Sequence, residues 1–178
     1  MISSETLFTG FLKLTKDTLR CRNDSACEYL VVSSAPASVA IIAMTARKEI
    51  LLTREYRHAV AKTVIGLPGG NLNDGEDPVE GAKRELIEET GYSAKNWHII
   101  GSTHPLPGIF AHTTHIVFAE CISLNKHKQL EDSEFIESYL CPYDNIVETL
   151  SSRNDLDGIM LQALCLYSAS ASVRSRKR

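Results

Sequence analysis

The sequence lacks any apolar run long enough to cross a bilayer, and its five cysteines include no C-x-x-C pair. A membrane-spanning helix needs about 20 predominantly apolar residues, and a structural zinc site needs clustered ligands. We therefore expect neither a membrane protein nor a zinc protein. No basic segment followed by an apolar one stands at the N-terminus, so we expect a cytoplasmic protein with free thiols. The cysteines are Cys21, Cys27, Cys121, Cys141 and Cys165.

An excess of positive charge is also missing. The 19 basic and 22 acidic residues give a formal net charge of −3, whereas nucleic-acid binding depends on neutralising phosphates with Lys and Arg. We therefore predict no nucleic-acid partner, and we interpret the basic tail, 174–178, as a solvated chain end. No internal repeat or low-complexity linker interrupts the 178 residues, which predict a single domain over 1–178 with its own core.

Short apolar runs rich in β-branched residues predict strands, because their lengths suit strands better than helices. These runs are 29–32, 38–44, 49–53, 97–100, 114–120 and 135–141. Apolar residues spaced three and four apart predict a core-facing helix near the C-terminal end. They are Leu156, Ile159, Met160, Ala163, Leu164 and Tyr167.

A second helix is predicted over 78–90, with marked ends. Asp77 is suited to the N-cap and Pro78 to the first helical position, while Gly91 can take the left-handed conformation that ends a helix. At about 100° per residue, one stripe is suited to packing against a sheet. That stripe consists of Val79, Ala82, Leu86 and Thr90.

Glu85, Glu88 and Glu89 share a neighbouring face of this helix. Like charges three and four residues apart repel one another, so the cluster is either a solvated acidic face or a cation site. The glycine-rich loop 66–75 precedes the helix, and a peptide carbonyl in such a loop can join carboxylates around a hard cation such as Mg²⁺. The loop and helix together predict a metal-phosphate site. Residues 74–89 hold seven acidic and two basic residues, a net charge of −5, so the rest of the chain carries a slight positive charge of +2.

These residues have the spacing of a known signature. Gly70, then Glu76 after five residues, then the run RELIEETGY at 84–92 fill every fixed position of the Nudix box, so the chain resembles the Nudix hydrolases. From about 8 to 167 it is most similar to the branch that hydrolyses ADP-ribose and nucleoside diphosphate sugars. Pro107, sixteen residues after Gly91, is typical of that branch.

The resemblance implies an α/β/α sandwich with a mixed, curved sheet, in which antiparallel strands over about 8–32 help to build a homodimer. It implies that Mg²⁺, or alternatively Mn²⁺, is bound by Glu85, Glu89, Glu88 and the carbonyl of Gly69. Arg84 would orient the glutamates, and Glu88 and Arg84 would share in catalysis.

The remaining implied site residues lie outside the box. Glu134, in the acidic run 131–134, would complete the site as a metal ligand or as the base for water. Arg54 and Arg57 belong to a stretch similar to the branch's substrate-facing segment, with Arg57 meeting a phosphate. Pro107 would contact the substrate. Phe110 would either stack on a base or pack in the core.

The implied reaction is Mg²⁺-dependent hydrolysis of ADP-ribose or a related nucleoside diphosphate sugar. The chain departs from the branch at Gly66, which replaces a glutamate two residues before Pro68, and in the loop 106–111, which lacks the usual acids. Another nucleotide substrate, such as GDP-mannose or a nucleoside triphosphate, therefore stays open. A non-catalytic nucleotide-binding module is the third alternative, although such modules typically lose box glutamates that this chain retains.

Overall fold

A computed structural model of the protein describes residues 1–34, 36–125, 128, 135–151 and 153–175, with the backbone alone for Val147, Thr149 and 171–175. The strands are β1 (Ser3–Thr9), β2 (Lys13–Arg20), β3 (Ala26–Ser33), β4 (Ser38–Met44), β5 (Glu49–Arg57), β6 (Lys62–Gly66), β7 (Tyr92–Ser93), β8 (Asn96–Thr103), β9 (Phe110–Ala111), β10 (Thr114–Glu120), β11 (Ser123–Leu124) and β12 (Ile136–Pro142). The helices are α1 (Pro78–Thr90), α2 (Ile146–Ser151) and α3 (Gly158–Ser175).

A six-stranded mixed sheet forms the centre, in the order β12-β5-β4-β10-β8, with β6 paired to β5. The β4–β10 pair is parallel, whereas β5 and β8 each run antiparallel to their neighbours. Side chains alternate between the two faces of β4. Ile42 shares a core cluster with Met160 of α3, and Ile41 shares another with Leu86 of α1. The sheet is therefore covered by helices on both faces, which confirms the predicted α/β/α sandwich.

The N-terminal strands build a second sheet, in the order β1-β2-β3-β9. It begins at Ser3, earlier than the predicted 8–32. The β2–β3 hairpin brings Cys21 and Cys27 together as a disulfide, with Cα atoms 6.0 Å apart. The prediction that every cysteine is a free thiol is therefore wrong for this pair. A spacing of six residues does not reveal that its ends meet, because the hairpin turn is what joins them.

The strands β4 and β5 separate soon after the turn that joins them. They share a single residue pair, after which β5 pairs with β6 instead. The glycine-rich loop takes the free edge of β4, where Ile41 N–H donates to Pro68 O and Val39 N–H donates to Gly70 O, both at 2.9 Å. The fold thereby places this loop alongside a buried central strand.

The segment before α3 is extended rather than helical. Ile65 of β6 donates its N–H to Asp155 O at 2.7 Å, and its own carbonyl accepts from Asp157 N–H at 2.8 Å. Leu156, predicted within the helix, instead forms a bridge with Ile65, so α3 begins two residues later. Neither β6 nor α2 was predicted. No described helix combines the length and apolar character that crossing a membrane requires.

Candidate active site

The glycine-rich loop approaches its neighbours too closely for side chains at two positions. Gly69 has φ of +152°, and a Cβ there would collide with the carbonyl oxygen of Val39. A Cβ on Gly70 would lie 2.5 Å from a carboxylate oxygen of Glu85. Glycine is therefore required at 69, where the obstacle is backbone, whereas a side chain at 70 would displace the Glu85 carboxylate, because the loop is held between β4 and the helix that carries the glutamates.

The α1 helix begins and ends where the sequence predicts. The Asp77 carboxylate accepts hydrogen bonds from the N–H groups of Val79 at 2.9 Å and Glu80 at 3.3 Å. At the other end, Gly91 is left-handed, with φ of +75°, and donates its N–H to Ile87 O. Because both ends of the helix are fixed, the position of each side chain around the helix axis is fixed as well.

Two of the three glutamates that share a face of α1 are buried. Glu85 is 9% exposed and Glu89 is 6% exposed, whereas Glu88 lies nearer the solvent. Glu89 Oε2 accepts a hydrogen bond from Gly69 N–H at 2.9 Å. The solvated acidic face therefore does not describe Glu85 and Glu89, since burying a carboxylate is costly unless it has partners.

Arg84 holds the acidic groups together. Its Nε and Nη2 donate to the two oxygens of Glu76, both at 3.0 Å, and Nη2 also donates to Asn71 O. Its Nη1 donates to Glu85 Oε1 at 2.8 Å and to Glu88 Oε2 at 3.1 Å. One guanidinium thus ties the loop to the helix and offsets the repulsion among the carboxylates.

The Arg84 contacts change the ionisation of Glu76. Hydrogen bonds from Arg84, followed by the backbone N–H of Asn73, lower the pKa of Glu76 to about 2. The hydrogen bond to Glu76, followed by the contacts with Glu85 and Glu88, raises the pKa of Arg84 above its usual value. Both groups remain charged at neutral pH, so the orienting role expected of Arg84 agrees with its geometry.

A cleft of about 670 Å³ lies between α1 with the glycine-rich loop on one side and β5 with β6 on the other. Its ionisable lining residues are Glu55, Arg57, Arg84, Glu85, Glu88, Glu89 and Asp157. Five carboxylates against two guanidiniums leave this lining with a net charge of −3. A cleft of this charge needs cations before an anionic diphosphate can enter.

The two arginines predicted at the substrate lie on opposite sides of β5. Arg57 lines the cleft and pairs with Glu55, with 2.6 Å between Nη1 and Oε1. Residues two apart on a strand share a face, so Thr53 also lines the cleft, whereas Arg54 points to the other face. The structure therefore brings Arg57, and not Arg54, to the glutamates.

Pro107 and Phe110 line a separate pocket of about 400 Å³. Phe110 stacks on His112 there, with ring centroids 4.9 Å apart and an interplanar angle of 6°. Burial lowers the pKa of His112. In this chain the structure does not place Pro107 or Phe110 beside the box glutamates.

Hydroxyl groups connect the second pocket to the cleft. His112 Nε2 lies 2.8 Å from Ser38 Oγ, and Ser38 Oγ lies 2.8 Å from Thr114 Oγ1. Ser38 and Thr114 both line the cleft. His112, which is neutral, thus contacts from the second pocket a hydroxyl group that lines the cleft.

Among the lining residues that sequence reasoning missed are Phe11, Thr53 and Asp157. Phe11 lies in the β1–β2 turn and is 84% exposed. Asp157 directly precedes the C-terminal helix, which is a recognisable N-cap signal, but nothing local places that helix end at the cleft. Glu134, predicted as the loop acid, lies outside the described residues.

The donor set suits a hard divalent cation. Glu85, Glu88 and Glu89 offer carboxylate oxygens, and the adjoining loop offers peptide carbonyls. Within the described ranges, no three His, Cys, Asp or Glu side chains converge around one point. The box carboxylates are turned toward the Arg84 guanidinium and the Gly69 N–H.

Comparisons with known proteins agree with this geometry. The family model described as NUDIX domain matches residues 35–162, which include the whole segment 70–92. The ADP-ribose pyrophosphatase of Bacillus subtilis is 28% identical, over 99% of this chain and 96% of that protein. The methanol dehydrogenase activator of Bacillus methanolicus is 30% identical, over 94% and 93%. The crystal structure of an ADP compounds hydrolase has the same fold, with a TM-score of 0.86 at 21% identity over 98% of this chain and 95% of that chain.

Proposed function

This chain belongs to the NUDIX domain family, and we propose that it hydrolyses the diphosphate bond of ADP-ribose or a related nucleoside diphosphate sugar. The products would be AMP, or another nucleoside monophosphate, and a sugar phosphate. The observation that carries this proposal is the pair of buried carboxylates, Glu85 and Glu89, in an acidic cleft of about 670 Å³. The similarity to an ADP-ribose pyrophosphatase over nearly the whole chain supports it.

We propose that Glu85, Glu89, Glu88 and the Gly69 carbonyl hold a divalent cation, Mg²⁺ or Mn²⁺. When bound, such a cation stabilises charge on the phosphate oxygens and lowers the pKa of the attacking water. Arg84 keeps Glu85 and Glu88 in place through its contacts with both. The glycine-rich loop allows the close approach because no side chain intervenes at its centre.

The other wall of the cleft binds the substrate. Arg57 is held by Glu55 and offers a planar guanidinium to the diphosphate. Phe11 offers an exposed aromatic face at the same cleft, on which a nucleobase can stack. We retain Glu134 as the proposed base that takes a proton from water.

We also propose a homodimer formed through the N-terminal sheet. The side chains of β1 are exposed along its whole length, and large apolar residues of this sheet face solvent. They include Leu7, Phe8, Tyr29 and Leu30. Because Pro107 and Phe110 line a different pocket of the same chain, a contact of theirs with substrate would require a second copy that brings the two pockets together.

The central test compares the wild-type protein with Glu89→Gln on a panel of ADP-ribose, GDP-mannose and nucleoside triphosphates with Mg²⁺. We expect hydrolysis of ADP-ribose or a close relative by the wild type, and a kcat at least about a hundredfold lower in the variant, because a charged group acting in the transition state is lost. Glutamine retains an acceptor for Gly69 N–H. Product chromatography measures both rates.

Glu80→Gln is the matched control, since Glu80 is an exposed α1 glutamate whose ion pair among the described residues is with Lys83. It should retain the wild-type rate. Hydrolysis of a different nucleotide would reassign the substrate. Failure of the wild type to hydrolyse any diphosphate would contradict the enzyme proposal and favour a nucleotide-binding module.

A further inference from the structure

We infer that Asp157 is a further ligand of the divalent cation, and that it supplies from the β6 wall of the cleft a carboxylate that position 66 does not carry. This inference rests on the proposed function, because it concerns the same cleft and the same cation. Asp157 lines the cleft together with Gly66 and the box glutamates. It belongs to neither the glycine-rich loop nor α1.

The backbone of Asp157 is held by the sheet. Its N–H donates to Ile65 O at 2.8 Å, and Ile65 N–H donates to Asp155 O at 2.7 Å. Asp157 therefore extends the pairing along β6 and enters the cleft beside Gly66. Its position does not depend on the flexibility of a loop end.

The side chain of Asp157 has one oxygen engaged and one open. Oδ1 caps α3 by accepting from Ile159 N–H at 2.7 Å and from Met160 N–H at 3.2 Å. Oδ2 accepts no hydrogen bond from the residues that the structure describes. The half-buried carboxylate is therefore anchored through Oδ1 while Oδ2 remains available to a ligand.

The charges in the cleft indicate what kind of ligand Asp157 Oδ2 binds. Glu85 and Glu88 contact Arg84, and Glu55 pairs with Arg57. No described guanidinium or ammonium group pairs with Asp157. An anionic diphosphate would repel a carboxylate on its wall, so this group is favourable there when a cation lies between them.

The space beside Gly66 fits the same conclusion. A Cβ built on Gly66 would lie 3.5 Å from Asp157 Cβ and 3.6 Å from Thr53 Oγ1, which are ordinary van der Waals distances. A side chain at 66 would therefore point into the region that Asp157 already occupies. A carboxylate at Asp157 or one at position 66 would each place a negative charge on the same side of the cleft.

The Asp157→Asn variant separates the two roles of the side chain, because asparagine is as good an N-cap as aspartate but carries no charge. Mn²⁺ binding to the substrate-free protein, measured by titration calorimetry, should weaken by at least about tenfold. Thermal unfolding without metal should stay close to wild type. Asp155→Asn is the matched control: it removes the same charge two residues away, from a residue that pairs with Arg153, and should leave Mn²⁺ binding unchanged.

A second substitution tests the location of the charge. Gly66→Glu, introduced into Asp157→Asn, should restore at least part of the Mn²⁺ affinity, whereas Gly66→Gln should not. Unchanged Mn²⁺ affinity in Asp157→Asn would overturn the inference, even if the KM for substrate rises, because Asp157 would then act on the substrate alone.

The two proposals fail in distinguishable ways. A wild-type protein that hydrolyses ADP-ribose while Asp157→Asn binds Mn²⁺ normally contradicts only the assignment of Asp157. A wild type that binds Mn²⁺ through Asp157 but hydrolyses no diphosphate contradicts only the proposed reaction. A wild type that binds no Mn²⁺ contradicts the assignment of Asp157 and the proposed cation site, whereas product chromatography still decides the reaction.

Discussion

Arg84 shows how one residue makes an unfavourable sequence compatible with a stable site. Three glutamates on one helical face repel one another, yet Glu85 also lies buried. The guanidinium of Arg84 contacts Glu85 and Glu88 and is itself held by both oxygens of Glu76. Glu76 thus contributes by positioning the arginine and not by touching the cleft.

Glu76→Gln should lower the free energy of unfolding at neutral pH by about 1–3 kcal/mol, because it leaves donors of Arg84 without their charged partner. The pKa of Glu76 is lowered from an ordinary 4.5 to about 2 in the folded protein, so its contribution is present above about pH 4.5 and is lost as the pH falls toward 2. Urea unfolding over this range should therefore show the wild-type and variant stabilities converging in acid.

The exposed Glu80→Gln variant should show no comparable convergence. Parallel pH curves for the wild type and Glu76→Gln would contradict the role given to Glu76.

At the scale of elements, the separation of β5 from β4 opens the space that the glycine-rich loop fills. The loop then meets both the carbonyl of Val39 and the side chain of Glu89. Two glycines in sequence predict flexibility, but here they serve close packing between a strand and a helix.

Gly69→Ala should therefore lower stability by about 2 kcal/mol or more and reduce kcat at least about tenfold, since the loop must move away from Val39 and from Glu89. Gly75→Ala is the matched control. Gly75 also has positive φ, at +73°, but a Cβ there would meet nothing within 4 Å. It should cost about 1 kcal/mol through φ alone and leave kcat near wild type. Equal losses of kcat in both variants would contradict a role for loop packing in the site.

The two sheets of the molecule differ in how much apolar surface they expose, and this difference bears on whether the protein forms a dimer. The central sheet is covered by helices on both faces, whereas the N-terminal sheet exposes Phe8, Tyr29 and Leu30. Phe8 and Leu30 share one face of this sheet and Tyr29 lies on the other, because Phe8 pairs with Leu14 and Leu14 with Val32. Exposed aromatic and aliphatic groups indicate an interaction surface. The proposed second copy would cover the face that carries Phe8.

Sedimentation equilibrium of the wild type should give a dimer, and Phe8→Ser should raise the dissociation constant at least about tenfold, because a buried aromatic contact is lost. Leu161→Ser is the control, since Leu161 is 45% exposed but lies on α3, away from this sheet. A wild type that stays monomeric at high concentration would refute the dimer.

Most of the predicted strands and the box helix could be located from the sequence because their signals are local. The bounds of β4, α1 and β10 match the predicted 38–44, 78–90 and 114–120, where β-branched runs and helix caps mark the ends. The short β6 has β-branched residues at 63–65, but a run of three is too short to predict a strand by itself. Its pairing with the end of β5 arises only once β5 leaves β4.

The candidate site was only partly predictable. Its glutamates and glycines lie close together in sequence, within 66–92, so spacing alone reveals them and the family they resemble. Arg54 shows where prediction from the sequence fails. A shift of one residue along a strand moves a side chain from the cleft to the opposite side of the sheet. Periodicity assigned no register to β5, so it did not distinguish Arg54 from Arg57.

The family resemblance, the extent of the box helix and the concentration of acid in residues 74–89 can all be read from the sequence, because each depends on neighbouring residues. The burial of Glu85 and Glu89, the meeting of Cys21 with Cys27 and the place of Asp157 beside Gly66 emerge only in the folded chain. Contacts between segments distant in sequence, or a hairpin turn, create these features. Backbone pairing and packing, and not local propensity, bring such groups together.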